Sequence, residues 1–179
     1  MASEIWAVDT TCSRLTFALR HLIVAEITGQ IRNWQANLRI DSVGSGHASV
    51  EATLDARSTD TGNAERDEHI RSAEFLNVAA FPEIRFRSRE VKHTHGNHYL
   101  VAGDLTIRDV TREVTLEVED LGRRQDGGGR RASFHAHATV NRQHFGLHWN
   151  QDLDTGGVVL GDKVDINIDI EAVTPEGLG

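Results

Sequence analysis

A single cysteine, Cys12, stands in a chain of 179 residues, which excludes any internal disulfide framework. Basic residues are also scarce. Lys and Arg number 19 against 27 Asp and Glu, a formal charge of −8, so the clustered cations that neutralise phosphates are missing and nucleic acid is excluded as a partner. No apolar run reaches the roughly 18 residues that read as a membrane-spanning helix. The start, Met1-Ala2-Ser3-Glu4-Ile5-Trp6, lacks the charged region, apolar stretch and small-residue cleavage site of a secretory signal, so the expected location is cytoplasmic. Cys12 has no base near it in sequence and Ser13 sits in no nucleophile-elbow motif, which leaves nucleophilic catalysis unsupported. With no internal repeat, low-complexity tract or second-domain linker, the chain reads as one domain.

What is present is alternation with a period of two, the mark of strands with one apolar and one polar face. Leu15, Phe17 and Leu19 alternate with Arg14, Thr16, Ala18 and Arg20. The same pattern runs through Trp34 to Ile40, Ala48 to Leu54, Ile84 to Phe86, Tyr99 to Ile107, Val114 to Val118, Phe134 to Val140 and Val164 to Ile170. Turn signals separate the runs: Val43-Gly44-Ser45-Gly46, His95-Gly96-Asn97, Asp126-Gly127-Gly128-Gly129 and Thr155-Gly156-Gly157. About eight antiparallel strands result. An up-and-down barrel is their natural closure, with a two-sheet sandwich as the alternative; eight strands enclose a side-chain-filled interior or one small ligand.

Between Thr61 and Pro82 the alternation stops. Asn63 is suited to cap a short helix, Glu65, Asp67 and Glu68 place negative charge in its first turn, and Ile70 falls where one side can be buried. Ser72 can cap a second turn. The predicted insert covers about residues 63–81, the barrel 1–174, and 175–179 form a frayed tail.

Trp6-Ala7-Val8-Asp9, Ser13-Arg14-Leu15-Thr16-Phe17 and Arg20-His21 resemble the opening of the YceI-like proteins. The resemblance continues through Gly29, Ser58-Thr59-Asp60-Thr61-Gly62-Asn63, Arg66-Asp67-Glu68-His69-Ile70 and Phe75-Leu76-Asn77. Phe81-Pro82-Glu83-Ile84, Gly103-Asp104-Leu105-Thr106-Ile107, Asn141-Arg142 and Phe145-Gly146-Leu147 extend it over nearly the whole chain, in order. It implies an all-β, lipocalin-like barrel of eight antiparallel strands with an elongated apolar cavity. The implied activity is non-enzymatic: binding, storage or transport of a long-chain amphiphile, a polyisoprenoid or isoprenoid quinone, with no catalytic cofactor. Relatives also suggest scavenging of small amphipathic compounds or antibiotics, and a metal-dependent enzyme acting on bound lipid is the third reading. The resemblance, together with the need to cover barrel edges, implies a homodimer. One departure is Asp109, where the family usually has glycine; a positive φ is therefore expected there.

On this reading the ligand wall is the inward apolar set: Phe17, Leu19, Trp34, Leu38, Val50, Leu54, Phe86, Val101, Leu105, Phe134, Ala136, Phe145 and Trp149. A packed core is the competing reading of the same residues. From the insert, Phe75, Leu76 and Phe81 would meet the ligand, with Arg66, Asp67 and His69 fixing the loop or holding a polar head. A strand of about 11 residues, rising about 36 Å and tilted near 40°, gives a barrel about 28 Å tall, so a tail must lie extended. Each buried methylene contributes about 0.8 kcal/mol against an association cost of about 4–15 kcal/mol, which favours long tails. The ten histidines raise the question of a metal, but His135 and His137 fall on the polar face and His93, His95 and His98 surround a turn. His144 and His148 make only a pair, so no metal site is assigned.

Overall fold

The computed structural model describes residues 3–21, 25–41, 48–127, 129–150 and 160–174. The turn signals at 43–46, Gly128 and 155–157, and the tail 175–179, lie outside the described residues. Among the described residues there are eleven strands: β1 (Ser3–Val8), β2 (Arg14–His21), β3 (Ala25–Ile31), β4 (Trp34–Asp41), β5 (Ala48–Asp55), β6 (Thr59–Asp60), β7 (Glu83–His95), β8 (His98–Ile107), β9 (Val110–Asp126), β10 (Gly129–Asn141) and β11 (Leu160–Val173). An α-helix, α1 (Ala64–Arg71), stands between β6 and β7.

The pairing registers assemble these strands into a closed antiparallel barrel of eight staves. β1 and β2 both run antiparallel to β11, with Val8 opposite Ala172 and Phe17 opposite Ile166, and together form one broken stave. β3 and β4 form the second, paired to β2 and β1; β5 and β6 form the third, paired to β4 and β3. From β7 to β11 the chain is a meander, and β11 returns to β1 and β2 to close the ring. β11 is thus bonded along both edges, and closure removes the open edge that was one argument for a dimer. β1, β3 and β6 were not among the predicted runs. The other unexpected feature is length, since β9 has 17 residues and β11 has 14, beyond the 11 expected.

Each break is held by specific hydrogen bonds. At Asp9 the backbone N–H donates to Glu171 O at 2.7 Å, while the carboxylate accepts from Thr11 N and Oγ1 and lies 3.2 Å from Arg131 Nη1. Breaks two and three brace each other: Asn33 N donates to Ser58 Oγ at 3.0 Å, and Asp55 N donates to Asn33 O at 2.9 Å. The Thr11 hydrogen bond, followed by the bond from Arg131, lowers Asp9 from 3.8 to about 2. A carboxylate depressed in the folded state stabilises fully above its unfolded value near 3.9 and loses that contribution as pH falls through the folded value. Denaturant midpoints should therefore fall between about pH 4 and pH 2, and Asp9→Asn should flatten that limb; equal slopes in the two proteins would contradict it.

Two glycines let aromatic rings lie across the sheet. A Cβ on Gly29 would sit 2.5 Å from Phe17 Cζ, and one on Gly103 would sit 2.5 Å from Arg87 O and 2.7 Å from Phe86 Cζ. Both rings thereby lie over backbone rather than beside it. The positive φ in the β8–β9 turn falls on Arg108 (56°), one residue before the expected Asp109. Ile107 pairs with Val110, so the turn has two central residues, and a hairpin of that length can place its positive φ at the first of them.

Candidate functional site

The barrel interior contains a cavity of about 660 Å³, within the roughly 300–1,000 Å³ typical of ligand sites. Its wall is aliphatic and aromatic, interrupted by Ser49, Thr59, Arg66, His69, His93, Tyr99, Asp120, Arg123 and Arg142. Val114, Leu116 and Val118 of β9, Ile166, Ile168 and Ile170 of β11, and Phe17, Val50 and Ala52 face this space but are only half-buried. A close-packed core would bury them fully. Their residual exposure comes from the hollow.

One end of the cavity is built by the helical insert. Asn63 Oδ1 accepts from Arg66 N at 3.1 Å and so caps α1, as its residue type predicts. Asp67, 5% exposed, accepts from Thr61 N at 2.9 Å and from Thr61 Oγ1, while Arg66 donates to Thr61 Oγ1 at 2.8 Å and Thr61 O at 2.9 Å. Adjacent residues of α1 thus grip one threonine of the incoming loop. Ser72 closes the helix, its hydroxyl donating to His69 O at 2.6 Å, and starts the next turn by accepting at its carbonyl from Phe75 N and Asn77 N. His69 pairs with Glu74 at 2.7 Å and presents its ring edge-on to Phe75 and Trp149, with centroids at 5.0 and 4.6 Å. This aromatic group, with Ile27 and Leu160, plugs the end.

Arg142 secures the same end from the opposite wall. It is 3% exposed, and its guanidinium donates to Gly161 O (2.8 Å), Leu147 O (2.6 Å), Trp149 O (2.8 Å) and Leu160 O (3.2 Å). Burial pulls it below its ordinary value, opposed by Asp162 at 3.7 Å. It joins the turn after β10 to the start of β11.

The far end is polar for a different reason. A β-bulge shifts the β9–β10 register between Phe134, opposite Asp120, and Ser133, opposite Gly122, whose φ is 108°. The extra residue changes the parity of β9, so Asp120 and Arg123 both line the cavity. Arg123 Nη1 donates to Asp120 Oδ1 at 2.7 Å, and the guanidinium lies over the rings of Trp6 (5.7 Å) and Phe134 (5.1 Å).

Of the residues assigned to the wall from sequence, all line the cavity except Phe81. Phe81 is held in the turn leaving the insert, its N–H donating to Asn77 O at 2.8 Å while the next carbonyl, Pro82 O, accepts from Ala56 N. That anchoring leaves its half-buried ring off the wall. Arg66 and His69 reach the cavity, whereas Asp67 does not and serves Thr61 instead. The aliphatics of β9 and β11 also line the cavity; their alternation is legible in the sequence, but they were not among the residues assigned to the wall. His93, read as a solvated turn residue, also lines the cavity, its ring 5.1 Å from that of Tyr99. On the outer face His135 meets Asp169 at 2.9 Å and His137 lies 3.7 Å from Asp165. Among the described residues no three His, Cys, Asp or Glu are grouped to hold a metal, and no helix is long and apolar enough to cross a membrane.

Comparison with known proteins places this geometry among relatives. The YceI-like domain matches residues 6–172. A UPF0312 protein of Enterobacter sp. (strain 638) is 36% identical over 160 residues, 89% of this chain and 80% of that one. BcnA of Burkholderia cenocepacia superposes with a TM-score of 0.78 at 22% identity, covering 92% of this chain and 98% of BcnA. A structure described as a polyisoprenoid binding domain from Saccharophagus degradans matches with a TM-score of 0.66 at 14% identity, over 95% and 98% of the two chains. The two structural likenesses carry the barrel; the match from Trp6 to Ala172 carries the kinship, and the chain belongs to the YceI-like family.

Proposed function

We propose that this barrel binds a long-chain amphiphile of the polyisoprenoid type lengthwise in its interior and stores or carries it without catalysing a reaction. The observation that carries the reading is the ring of half-buried aliphatics around a hollow of about 660 Å³. Such a wall offers dispersion and hydrophobic burial along its whole length and few hydrogen bonds to compete with water. Membership of the YceI-like family and the likeness to a domain described as binding polyisoprenoid support the choice of tail.

The energetics make tail length the deciding variable. At about 0.8 kcal/mol per buried methylene, a ten-carbon tail gains about 8 kcal/mol, comparable with the about 4–15 kcal/mol cost of association. Longer tails exceed that cost until the cavity is full. Displacement of a bound fluorescent hydrophobic probe by single-headed amphiphiles of increasing tail length should show affinity rising severalfold with each added methylene. A preference for short amphiphiles would overturn the reading in favour of small-molecule scavenging.

A further inference from the structure

The two ends of the cavity differ in what their polar groups have left to offer. At the helix end, Arg142 donates to four backbone carbonyls, Arg66 donates to Thr61, and His69 is paired with Glu74. Those groups hold protein to protein. The opposite end is reached along β9: its first residues lie beside the Arg142–Phe145 turn, where Arg112 donates to His144 O, and the strand then runs through Leu116 and Val118 to Asp120. Here Arg123 donates from Nη1 to Asp120, and among the described residues its Nε and Nη2 have no acceptor. The Tyr99 hydroxyl, on the same wall, has no hydrogen-bond partner among the described residues either. Tyr99 lies opposite Val118, two residues from Asp120, so β8 and β9 present a continuous polar arc; exposed His93 of β7, opposite Tyr99, borders it with its Nε2 already 2.8 Å from Gly96 O. The Arg123 side chain is 38% exposed, and this arc therefore stands where the apolar cavity meets water.

We propose that this arc is the head-group site, so that the amphiphile lies with its head at Arg123 and Tyr99 and its tail directed toward α1. This deepens the binding reading above and rests on it. The head-group class follows from charge and donors. Arg123 is already neutralised by Asp120 at 2.7 Å, so an anionic head would meet a carboxylate beside the cation. What the arc offers is N–H and O–H donors with aromatic faces from Phe134 and Tyr99, which suits an uncharged head bearing carbonyl oxygens.

Octadecane, octadecanamide and octadecanoate share one tail length and separate the head from the tail. Delivered from cyclodextrin and scored by probe displacement, octadecanamide should bind the wild-type protein most tightly. Arg123→Met should lower the amide-to-alkane affinity ratio about tenfold or more, the loss expected for one charge-assisted hydrogen bond. Tyr99→Phe, which removes one oxygen and keeps the ring, should lower it severalfold, and Asp120→Asn should shift preference toward octadecanoate. An amide-to-alkane ratio unchanged in both Arg123→Met and Tyr99→Phe would overturn the site while the binding reading stands. Failure of the wild-type protein to bind any of the three would remove the binding reading itself.

Discussion

Replacing Ala52 by phenylalanine should weaken long-chain binding by about 100-fold or more while leaving folding stability within about 1 kcal/mol of wild type. Ala52 lies on β5 opposite Ala36 of β4 and Phe86 of β7, half-buried on the cavity wall. In a close-packed interior an added ring forces neighbours off their rotamers and costs about 1–3 kcal/mol. Here the ring enters the hollow and gains contacts there. A tail threading the same space loses room for several methylenes, and at about 0.8 kcal/mol each, four of them amount to about 3 kcal/mol, or about 100-fold in affinity. Probe titration and chemical denaturation on one preparation read both quantities. Clear destabilisation with unaltered binding would show that Ala52 faces packed core.

Arg142→Met should destabilise the protein by about 3–5 kcal/mol, as removal of one member of a buried charged network does. The side chain is 3% exposed and its donors satisfy carbonyls of Leu147, Trp149, Leu160 and Gly161; a thioether donates to none of them, and of the four Leu160 O keeps the Asn150 amide at 2.7 Å. Against a typical total of about 5–15 kcal/mol, such a loss would be visible as a large drop in denaturation midpoint. Arg142→Lys should recover only part of it, since an ammonium at one point cannot reach acceptors arranged around a planar fork. A midpoint shift below about 1 kcal/mol in Arg142→Met would refute the structural role assigned to this arginine.

The sequence showed the barrel and the wall because both obey one rule, alternation, and barrel side chains facing a hollow or a core alternate alike. The same ambiguity is why sequence could not choose between the two; the half-buried state of Leu116, Val118, Ile166 and Ile168 does. α1 was legible from Asn63 and the acidic first turn, whose local hydrogen bonds form as their residue types dictate. β1 escaped notice because its alternation is short and its outward residue is Ile5, 45% exposed, where a polar side chain would have marked the face. The polar arc was out of reach for a geometric reason. Asp120 and Arg123 differ in parity, so only the bulge before Gly122 brings both inward, and a lone glycine in a long strand does not announce that shift. Arg142 is legible as part of the family resemblance but its role is not, because its acceptors at Leu160 and Gly161 lie 18 and 19 residues away across a strand pairing. Phe81 is the reverse case: an aromatic beside the insert reads as wall in the sequence, and in the structure the Asn77 turn holds it away from the cavity lining.

The central claim is that the interior is a binding space for one extended chain. Native mass spectrometry of protein purified without detergent or organic solvent, followed by organic extraction and identification of the released material, tests it most directly. The account predicts a near-stoichiometric adduct that proves on extraction to be a long-chain, predominantly hydrocarbon amphiphile, and that is absent from Ala52→Phe protein prepared in parallel. Protein that carries no lipid under every gentle preparation, and takes none up when long-chain amphiphiles are supplied, would contradict it.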